Sequence, residues 1–240
     1  MRNLFGLIAS TLLLCSLLLA AGCGMGNQVV GSGQLIDDER RLLPFDEIVV
    51  DAPVNIIINA GTTQLVNVRA QGQVLPVLTT EVKGDKLTVK LAQKAQMDSG
   101  TAIEVTVPTL KALTLTSSGS AAVYGATGDK LNLALESSGS FVGTQLKYDG
   151  IKIKVGGSGD IELDGSSDDL QIDSDSSGDV DAFDMIVKDA KITSKGSGDI
   201  RVTVQNDIKA DIKGSGSIYY RGEPEIQLTD EGSGELVNDM

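Results

Sequence analysis

Residues 151–200 read IKIKVGGSGDIELDGSSDDLQIDSDSSGDVDAFDMIVKDAKITSKGSGDI, and within them a Ser-Gly pair recurs at Gly159, Gly178 and Gly198. The same pair continues on both sides of this stretch, at Gly119, Gly139, Gly216 and Gly234. The chain therefore carries seven copies of a repeat of 18–20 residues. Self-similarity at such a near-constant period is typical of architectures in which like units stack on one another.

Apolar and polar residues alternate with period two on both sides of each repeat glycine. The position six residues before the glycine and the position two residues after it are apolar in every copy, as Ile172 and Val180 are for Gly178. The position seven residues before the glycine is polar in the second to sixth copies, where it reads Asn132, Lys152, Gln171, Lys191 and Lys209. This alternation indicates strands with one buried face.

Short strands in a repeat of about 20 residues predict an all-β fold, a right-handed parallel β-helix of about seven coils. Coils about 4.8 Å apart would form a rod of roughly 30 Å. The Leu-rich repeat consensus is absent, a propeller needs a longer repeat for each blade, and Greek-key sandwiches do not require so regular a register. We expect the recurring glycine to supply a positive φ at each corner, and its serine neighbour to bond the turn backbone.

The repeats occupy residues 117–240, and a different pattern precedes them. Residues 45–116 keep period-two strands without the Ser-Gly pair, and we interpret them as an irregular β section that covers the open end of the first coil, as repeat arrays require. The carboxyl end is too short to cover the last coil. A partner copy, an irregular last coil or the charge of Glu235 and Asp239 must protect that edge.

The first 22 residues have the pattern of a lipoprotein signal peptide. A charged start is followed by a leucine-rich run and by Ala20-Ala21-Gly22-Cys23, the small-residue cleavage site with a cysteine. Because the cysteine directly follows these small residues, we expect Cys23 to be lipidated and residues 24–44 to form a tether, so that 23–44 is one segment. Acyl chains on Cys23 would anchor the protein stably. This predicts an exported, lipid-anchored envelope protein, in the outer membrane if the source is Gram-negative.

Composition narrows the classes of partner. The formal net charge is −13, so nucleic acid and anionic lipid headgroups would repel the chain. His and Trp are absent, and aromatic residues make up 3% of the sequence. Cys15 would leave with the signal peptide and Cys23 would be acylated, so no thiol would remain for a disulfide, a metal or catalysis.

Several motifs together resemble a known family. They are Phe45-Asp46-Glu47-Ile48-Val49-Val50, the strand pair from Glu81-Val82 to Leu87, Gly-Ser-Gly-Asp-Ile at 157–161 and 196–200, and GSGSIYYRGEP at 214–224. In this ordered set, across nearly all of 45–236, the sequence resembles the putative autotransporter-adhesin head (GIN) domain family of bacterial envelope proteins. The resemblance implies a β-helical fold and an adhesin-like role, with no established ligand and no catalytic residues. Ser120, Ser140 and Ser217 depart from the family's Asp after the corner.

Acidic residues supply the first candidate site. Eleven of them lie between Asp160 and Asp189, and the corner residues Asp160, Asp179 and Asp199 would stack about 4.8 Å apart. A Ca²⁺ ion could relieve the repulsion between them, since it accepts six to eight oxygen ligands. The alternative is structural, because Asp is common in turns and outward charges keep a sheet edge soluble.

Two further hypotheses stay open. Paired carboxylates can cleave glycosides, and stacking could bring Glu162 beside Asp181, or Asp173 beside Asp175, as in a polysaccharide lyase or hydrolase. The absence of His and Trp argues against that enzyme. Tyr219 and Arg221 suit a contact surface.

Together these features favour a non-catalytic, lipid-anchored envelope protein with an adhesin-like binding or scaffold role. We expect no cofactor apart from Ca²⁺, a protein or glycan partner, no nucleic acid, and self-association as an open possibility.

Overall fold

The computed structural model describes residues 28–240, so the predicted signal peptide and Cys23 lie outside the described residues. Strands make up 62% of these described residues, which contain no helix. The amino-terminal strands are β1 (Val29–Val30), β2 (Leu35–Glu39), β3 (Glu47–Asp51), β4 (Asn55–Ala60), β5 (Leu65–Gln71), β6 (Leu78–Lys83), β7 (Lys86–Leu91), β8 (Ala95–Gln96) and β9 (Ala102–Val107). The repeat strands are β10 (Ala112–Leu115), β11 (Ala121–Tyr124), β12 (Thr127–Leu135), β13 (Phe141–Val155), β14 (Ile161–Ser174), β15 (Val180–Ser194), β16 (Ile200–Ile212), β17 (Ile218–Arg221), β18 (Glu225–Asp230) and β19 (Leu236–Asn238).

The predicted parallel β-helix is confirmed, with about six turns instead of about seven coils. The last copy of the repeat, around Gly234, adds β18 and the three-residue β19 and then ends, so it makes no full turn. The apolar positions of successive repeats pair in register, as Ile153, Ile172 and Ile192 do. These side chains are fully buried, so the two apolar columns of the sequence form the core of the solenoid.

The long strands β13 to β16 bend as they pass around each coil. The first part of each strand pairs in one sheet and the last part pairs in another. The part between them forms a third, shorter run of parallel pairs, such as Lys147 with Ser166 and Ser166 with Ile186. The corner where this run meets the later part of the strand passes through Gly150, Asp169 and Asp189.

The section before the repeats extends the same two sheets. Strand β3 pairs with β10, and β4 pairs with β11, so residues 47–60 form a coil beneath the first repeat. Strands β7 and β9 lie outside that coil, next to β3 and β4. The antiparallel strands β5 and β6 pair with β9 and β7 at this end. The sequence predicted an irregular section here because the Ser-Gly pair is absent. The structure adds that these strands do not stack in chain order.

The carboxyl-terminal end of the solenoid is open within the described chain. Ile226 and Leu228 on β18 are in register with buried Ile208 and Ala210, yet they are 45% and 47% exposed. Acidic residues lie close in sequence to this edge, at Glu223, Glu225, Asp230, Glu231, Glu235 and Asp239. Like charges at a strand edge oppose pairing with a second copy, which is one of the devices that proteins use at such edges.

The repeat glycines are needed for a reason that differs from the prediction. None of them has a positive φ, so the expected left-handed corner is wrong. A Cβ atom on Gly159 would instead lie well within 3 Å of the carbonyl oxygen of Gly139, and one on Gly198 would meet that of Gly178 in the same way. The backbones of successive coils approach so closely at this corner that no side chain fits between them.

Candidate functional site

A groove runs along the solenoid axis, across the six strands β12 to β16 and β18. Its volume is about 670 Å³, and it follows the corner where the third run of pairs meets the later part of the long strands. The coil spacing of about 4.8 Å gives it a length of roughly 24 Å over six strands. Its shape therefore suits an extended ligand that lies along the axis.

Two columns of polar residues line the groove. One column contains amides and lysines in register on neighbouring strands, and it reads Asn132, Lys152, Gln171, Lys191, Lys209 and Gln227. The other column stands two residues earlier on each strand, and it reads Lys130, Gly150, Asp169, Asp189 and Asp207. The groove lining contains four lysines and three aspartates, which gives it a formal charge of +1, whereas the whole chain carries −13.

The four groove lysines are free of intramolecular partners among residues 28–240. Lys130, Lys152, Lys191 and Lys209 make no ion pair and no side-chain hydrogen bond there. Lys188, just outside the groove, instead pairs with Asp168 at 2.7 Å. The Oδ1 atom of Asp189 is buried and has no hydrogen-bond partner. The groove thus presents four ammonium groups that have no partner within the described chain.

The groove was not predicted, although its signal was present in the sequence. The polar column from Asn132 to Lys209 was interpreted as the outward side of alternating strands, which it is. The available signal was that charged residues recur at one outward position of the repeat. Equivalent positions of successive coils stack, so these residues form a row. The concavity could not be predicted, since it depends on the angle at which each strand bends.

The corner acids form a hydrogen-bonded ladder. Oδ1 of Asp160 accepts the backbone N–H of Asp179 at 2.9 Å, and Oδ1 of Asp179 accepts that of Asp199 at 2.8 Å. Oδ1 of Asp199 accepts the N–H of Ser217 at 2.9 Å, and the Ser217 hydroxyl accepts the N–H of Glu235 at 3.1 Å. Serine replaces aspartate in this column because either side chain can accept the N–H of the next coil.

Arg201 neutralises part of this ladder. Its guanidinium lies 3.1 Å from Oδ2 of Asp179 and 3.5 Å from Oδ2 of Asp199. The hydrogen bond to Asp179 raises the pKa of Arg201 above its usual value. No group of three or more His, Cys, Asp or Glu residues in the described chain is arranged to hold a metal ion. Each of the three carboxylates Asp160, Asp179 and Asp199 already accepts a backbone N–H of the next coil. A Ca²⁺ site at these residues stays a prediction.

Substitutions at Asp179 separate that structural role from charge. Asp179→Asn keeps an Oδ1 acceptor for the N–H of Asp199, whereas Asp179→Ala leaves that donor without its partner and Arg201 without its closest carboxylate. We expect Asp179→Ala to lower the free energy of unfolding by about 1–2 kcal/mol, and Asp179→Asn by less than half of that. Urea unfolding followed by circular dichroism measures both, and equal losses would contradict the ladder.

The carboxylates proposed for glycoside cleavage lie apart from the groove. Glu162 and Asp181 are register partners on β14 and β15, and they line a smaller pocket of about 330 Å³ with Asp160, Asp179 and Arg201. Glu162 is exposed, and Oδ1 of Asp181 accepts the N–H of Phe183 at 3.1 Å. Asp173 is half-buried and Asp175 exposed, outside both cavities. Stacking thus brings the first pair together, as the sequence indicated.

Tyr219 and Arg221 lie near the open end of the solenoid. Tyr219 is half-buried, its ring 5.5 Å from the guanidinium carbon of Arg201, and Tyr220 packs in the core. Arg221 stacks over the Phe183 ring at 3.9 Å and donates to Asp239 through Nε at 3.1 Å and Nη2 at 2.8 Å. The polar groups of Arg221 therefore already bond the chain terminus, and a partner contact by Tyr219 and Arg221 stays a prediction.

Comparison with known proteins identifies the family. The family model described as putative auto-transporter adhesin, head GIN domain, matches residues 44–224 of the chain. The chain belongs to the head GIN domain family. The GIN domain is the solenoid described above, from the coil at β3 and β4 to the corner after β17. No protein of curated function matches the chain.

Solved structures share the GIN-domain fold. A putative adhesin from Bacteroides fragilis is 24% identical with a TM-score of 0.82, and the match covers 88% of this chain and 99% of that one. A putative adhesin from Parabacteroides merdae is 20% identical with a TM-score of 0.70, covering 89% and 99%. A putative lipid binding protein from Parabacteroides distasonis is 22% identical with a TM-score of 0.69, covering 89% and 100%. At these identities the likeness concerns the fold alone.

Proposed function

We propose that this GIN domain is a non-catalytic binding domain of the cell envelope that holds an extended polymer in the groove along its side. The groove carries this proposal, because four lysines stand in it without partners among the described residues. These lysines are exposed or half-buried, so an anionic ligand can pair with them without breaking an intramolecular ion pair. The adhesin description of the family supports binding as the activity.

The placement of the candidate carboxylates also supports binding without cleavage. The groove acids Asp169, Asp189 and Asp207 form a single row, and they face lysines and amides instead of a second row of carboxylates. Glycosidases need two carboxyl groups on opposite sides of the scissile bond. Glu162 and Asp181 lie on neighbouring strands of a different pocket, so a polymer in the groove would not meet them.

A lipid anchor would attach the domain to a membrane. Among the described residues, no helix is long and apolar enough to cross a bilayer. The sequence from Ala20 to Cys23 supports acylation of Cys23. Strands β1 and β2 pair with β8 and β5, so the proposed tether is shorter than the predicted 23–44 and consists of the residues between Cys23 and β1. Replacing Cys23 by Ser should move the chain from the membrane fraction to the soluble fraction on cell fractionation, and retention in the membrane fraction would contradict the anchor.

A groove-blocking variant tests the proposed binding. A Cβ on Gly150 would meet one atom, Cγ of Lys130, at an ordinary contact of 3.9 Å, so Gly150→Trp should fill the groove without disturbing the core. The full chain in mild detergent and this variant are exposed to a panel of neutral and acidic polysaccharides. We expect wild type to retain at least one polymer, the variant to retain none, and no polymer to be shortened. Release of reducing ends, or retention by neither protein, would contradict the proposal.

A further inference from the structure

The residues that line the groove indicate the class of its ligand. We propose that it binds an anionic polysaccharide, whose acidic groups pair with the lysine row while its hydroxyl groups donate to the aspartate row. This inference rests on the proposed function and specifies its ligand. Charge complementarity is the first argument for it, because Lys130, Lys152, Lys191 and Lys209 are free cations on an otherwise acidic molecule.

The arrangement of the lysines favours a repeating polymer over a small anion. Lys191 and Lys209 stand on neighbouring strands, and Lys152 and Lys191 stand two strands apart with Gln171 between them. The cations are therefore spaced by about 4.8 Å and by about twice that distance along one line. A small anion would need several cations around one point, whereas this row can pair with acidic groups that recur along a chain.

The aspartate row favours a glycan over an acidic polypeptide. Asp169 and Asp207 are exposed and Asp189 is half-buried, so the three offer carboxylate oxygens along the edge of the lysine row. Sugar hydroxyls can donate to these oxygens while the acidic groups of the same polymer meet the lysines. A polyglutamate chain carries no side-chain donors, so its carboxylates would be repelled by the aspartates.

Peptide binding would also require sockets for apolar side chains. The apolar residues along the groove, among them Ile151, Leu170 and Ile208, belong to the buried core columns and are at most 2% exposed. The outward side chains are lysine, aspartate, asparagine and glutamine. Polar groups of this kind suit a hydroxyl-rich ligand, and the wider negative charge of the protein is screened beyond about 8 Å at physiological ionic strength.

The test replaces three lysines with the residue that their own column already contains. Gln occurs at 171 and 227 in register with the lysines, so Lys152→Gln, Lys191→Gln and Lys209→Gln together should leave the fold and the melting temperature unchanged. A charge-matched control combines Lys90→Gln, Lys94→Gln and Lys195→Gln, three exposed lysines outside the groove. Both triple variants change the net charge equally.

Binding of the full chain in mild detergent is measured by calorimetry with four probes: polygalacturonate, dextran sulfate, neutral dextran and polyglutamate. We expect wild type and the control to bind one or both anionic polysaccharides, with polygalacturonate alone pointing to carboxylate recognition and dextran sulfate alone to sulfate. The groove triple variant should bind about tenfold more weakly, because it loses three exposed ion pairs of about 0.5 kcal/mol each.

Four results would overturn the inference. Equal binding of neutral dextran would leave the proposed groove function standing and remove the anionic class. Equal binding of polyglutamate would show that charge alone is recognised and would remove the glycan. An equal loss of affinity in the control variant would place the interaction outside the groove. Binding to none of the four probes would contradict the inference and, if Gly150→Trp also behaves as wild type with every polymer, the proposed function as well.

Discussion

Gly159→Ala is expected to lower the free energy of unfolding by about 3 kcal/mol or more, a fall of roughly 10 °C in melting temperature. The new methyl group would overlap the carbonyl oxygen of Gly139, which is backbone of the preceding coil and cannot turn aside as a side chain can. The two coils would have to separate at this corner. That movement would break the inter-coil hydrogen bonds that flank it, among them the bonds from Ser158 and Gly159 to Ser137.

Gly156→Ala is the matched control for that substitution. Gly156 lies three residues away in the same coil, is exposed, lacks a positive φ and would have nothing within 4 Å of an added Cβ. We expect its stability to equal that of the wild type or to rise slightly, because alanine restricts the unfolded chain more than glycine does. Calorimetry of the wild type, Gly159→Ala and Gly156→Ala measures the three melting temperatures. Equal melting temperatures for Gly159→Ala and Gly156→Ala would show that close coil approach is not what requires the glycine.

The double variant Ser174→Ala and Ser194→Ala is expected to be more stable than the wild type by about 2 kcal/mol. The two serines face inward next to each other, at 2% and 0% exposure, and neither Oγ atom has a hydrogen-bond partner. Their column continues as Val155 on one side and Ile212 on the other. Removing an unsatisfied buried hydroxyl recovers about 1 kcal/mol at each site.

Ser176→Ala gives the opposite result if this explanation is correct. Ser176 is also buried, but its Oγ donates to the Gly157 carbonyl at 2.8 Å and accepts the Gly178 N–H at 2.9 Å. Its removal should destabilise the protein by about 1–3 kcal/mol. Urea unfolding measures the free energy of unfolding of both variants and of the wild type. Destabilisation by the double variant would mean that the two hydroxyls are satisfied in solution.

The solenoid could be predicted from the sequence because its determinants are local and recur. An apolar residue six before and two after each glycine, such as Ile172 and Val180, places both strands of a coil, and the constant period sets their register. The role of the glycines could not be predicted from the same pattern. Whether Gly159 needs freedom in φ or the absence of a side chain depends on the distance between coils, which a sequence does not contain.

The amino-terminal coils and the groove escaped prediction for related reasons. Strands β7 and β9 precede β10 in the chain, yet β3 and β4 lie between them and the repeats, so proximity in sequence did not indicate proximity in space. The lysine column was visible in the sequence, but its concave setting depends on the bend at Gly150, Asp169 and Asp189. The corner acids were noticed for their charge, whereas their hydrogen bonds to the next coil became visible only in the fold.

Lysine acetylation footprinting tests the groove most directly, because it reports each side chain separately. The full chain is acetylated with and without a saturating amount of polygalacturonate or dextran sulfate, whichever binds more tightly, and the modified peptides are quantified by mass spectrometry. The account predicts protection of Lys130, Lys152, Lys191 and Lys209, with unchanged reactivity of the control lysines Lys90, Lys94 and Lys195. Bound polymer that leaves the four groove lysines as reactive as before, or that protects the control lysines instead, would contradict it.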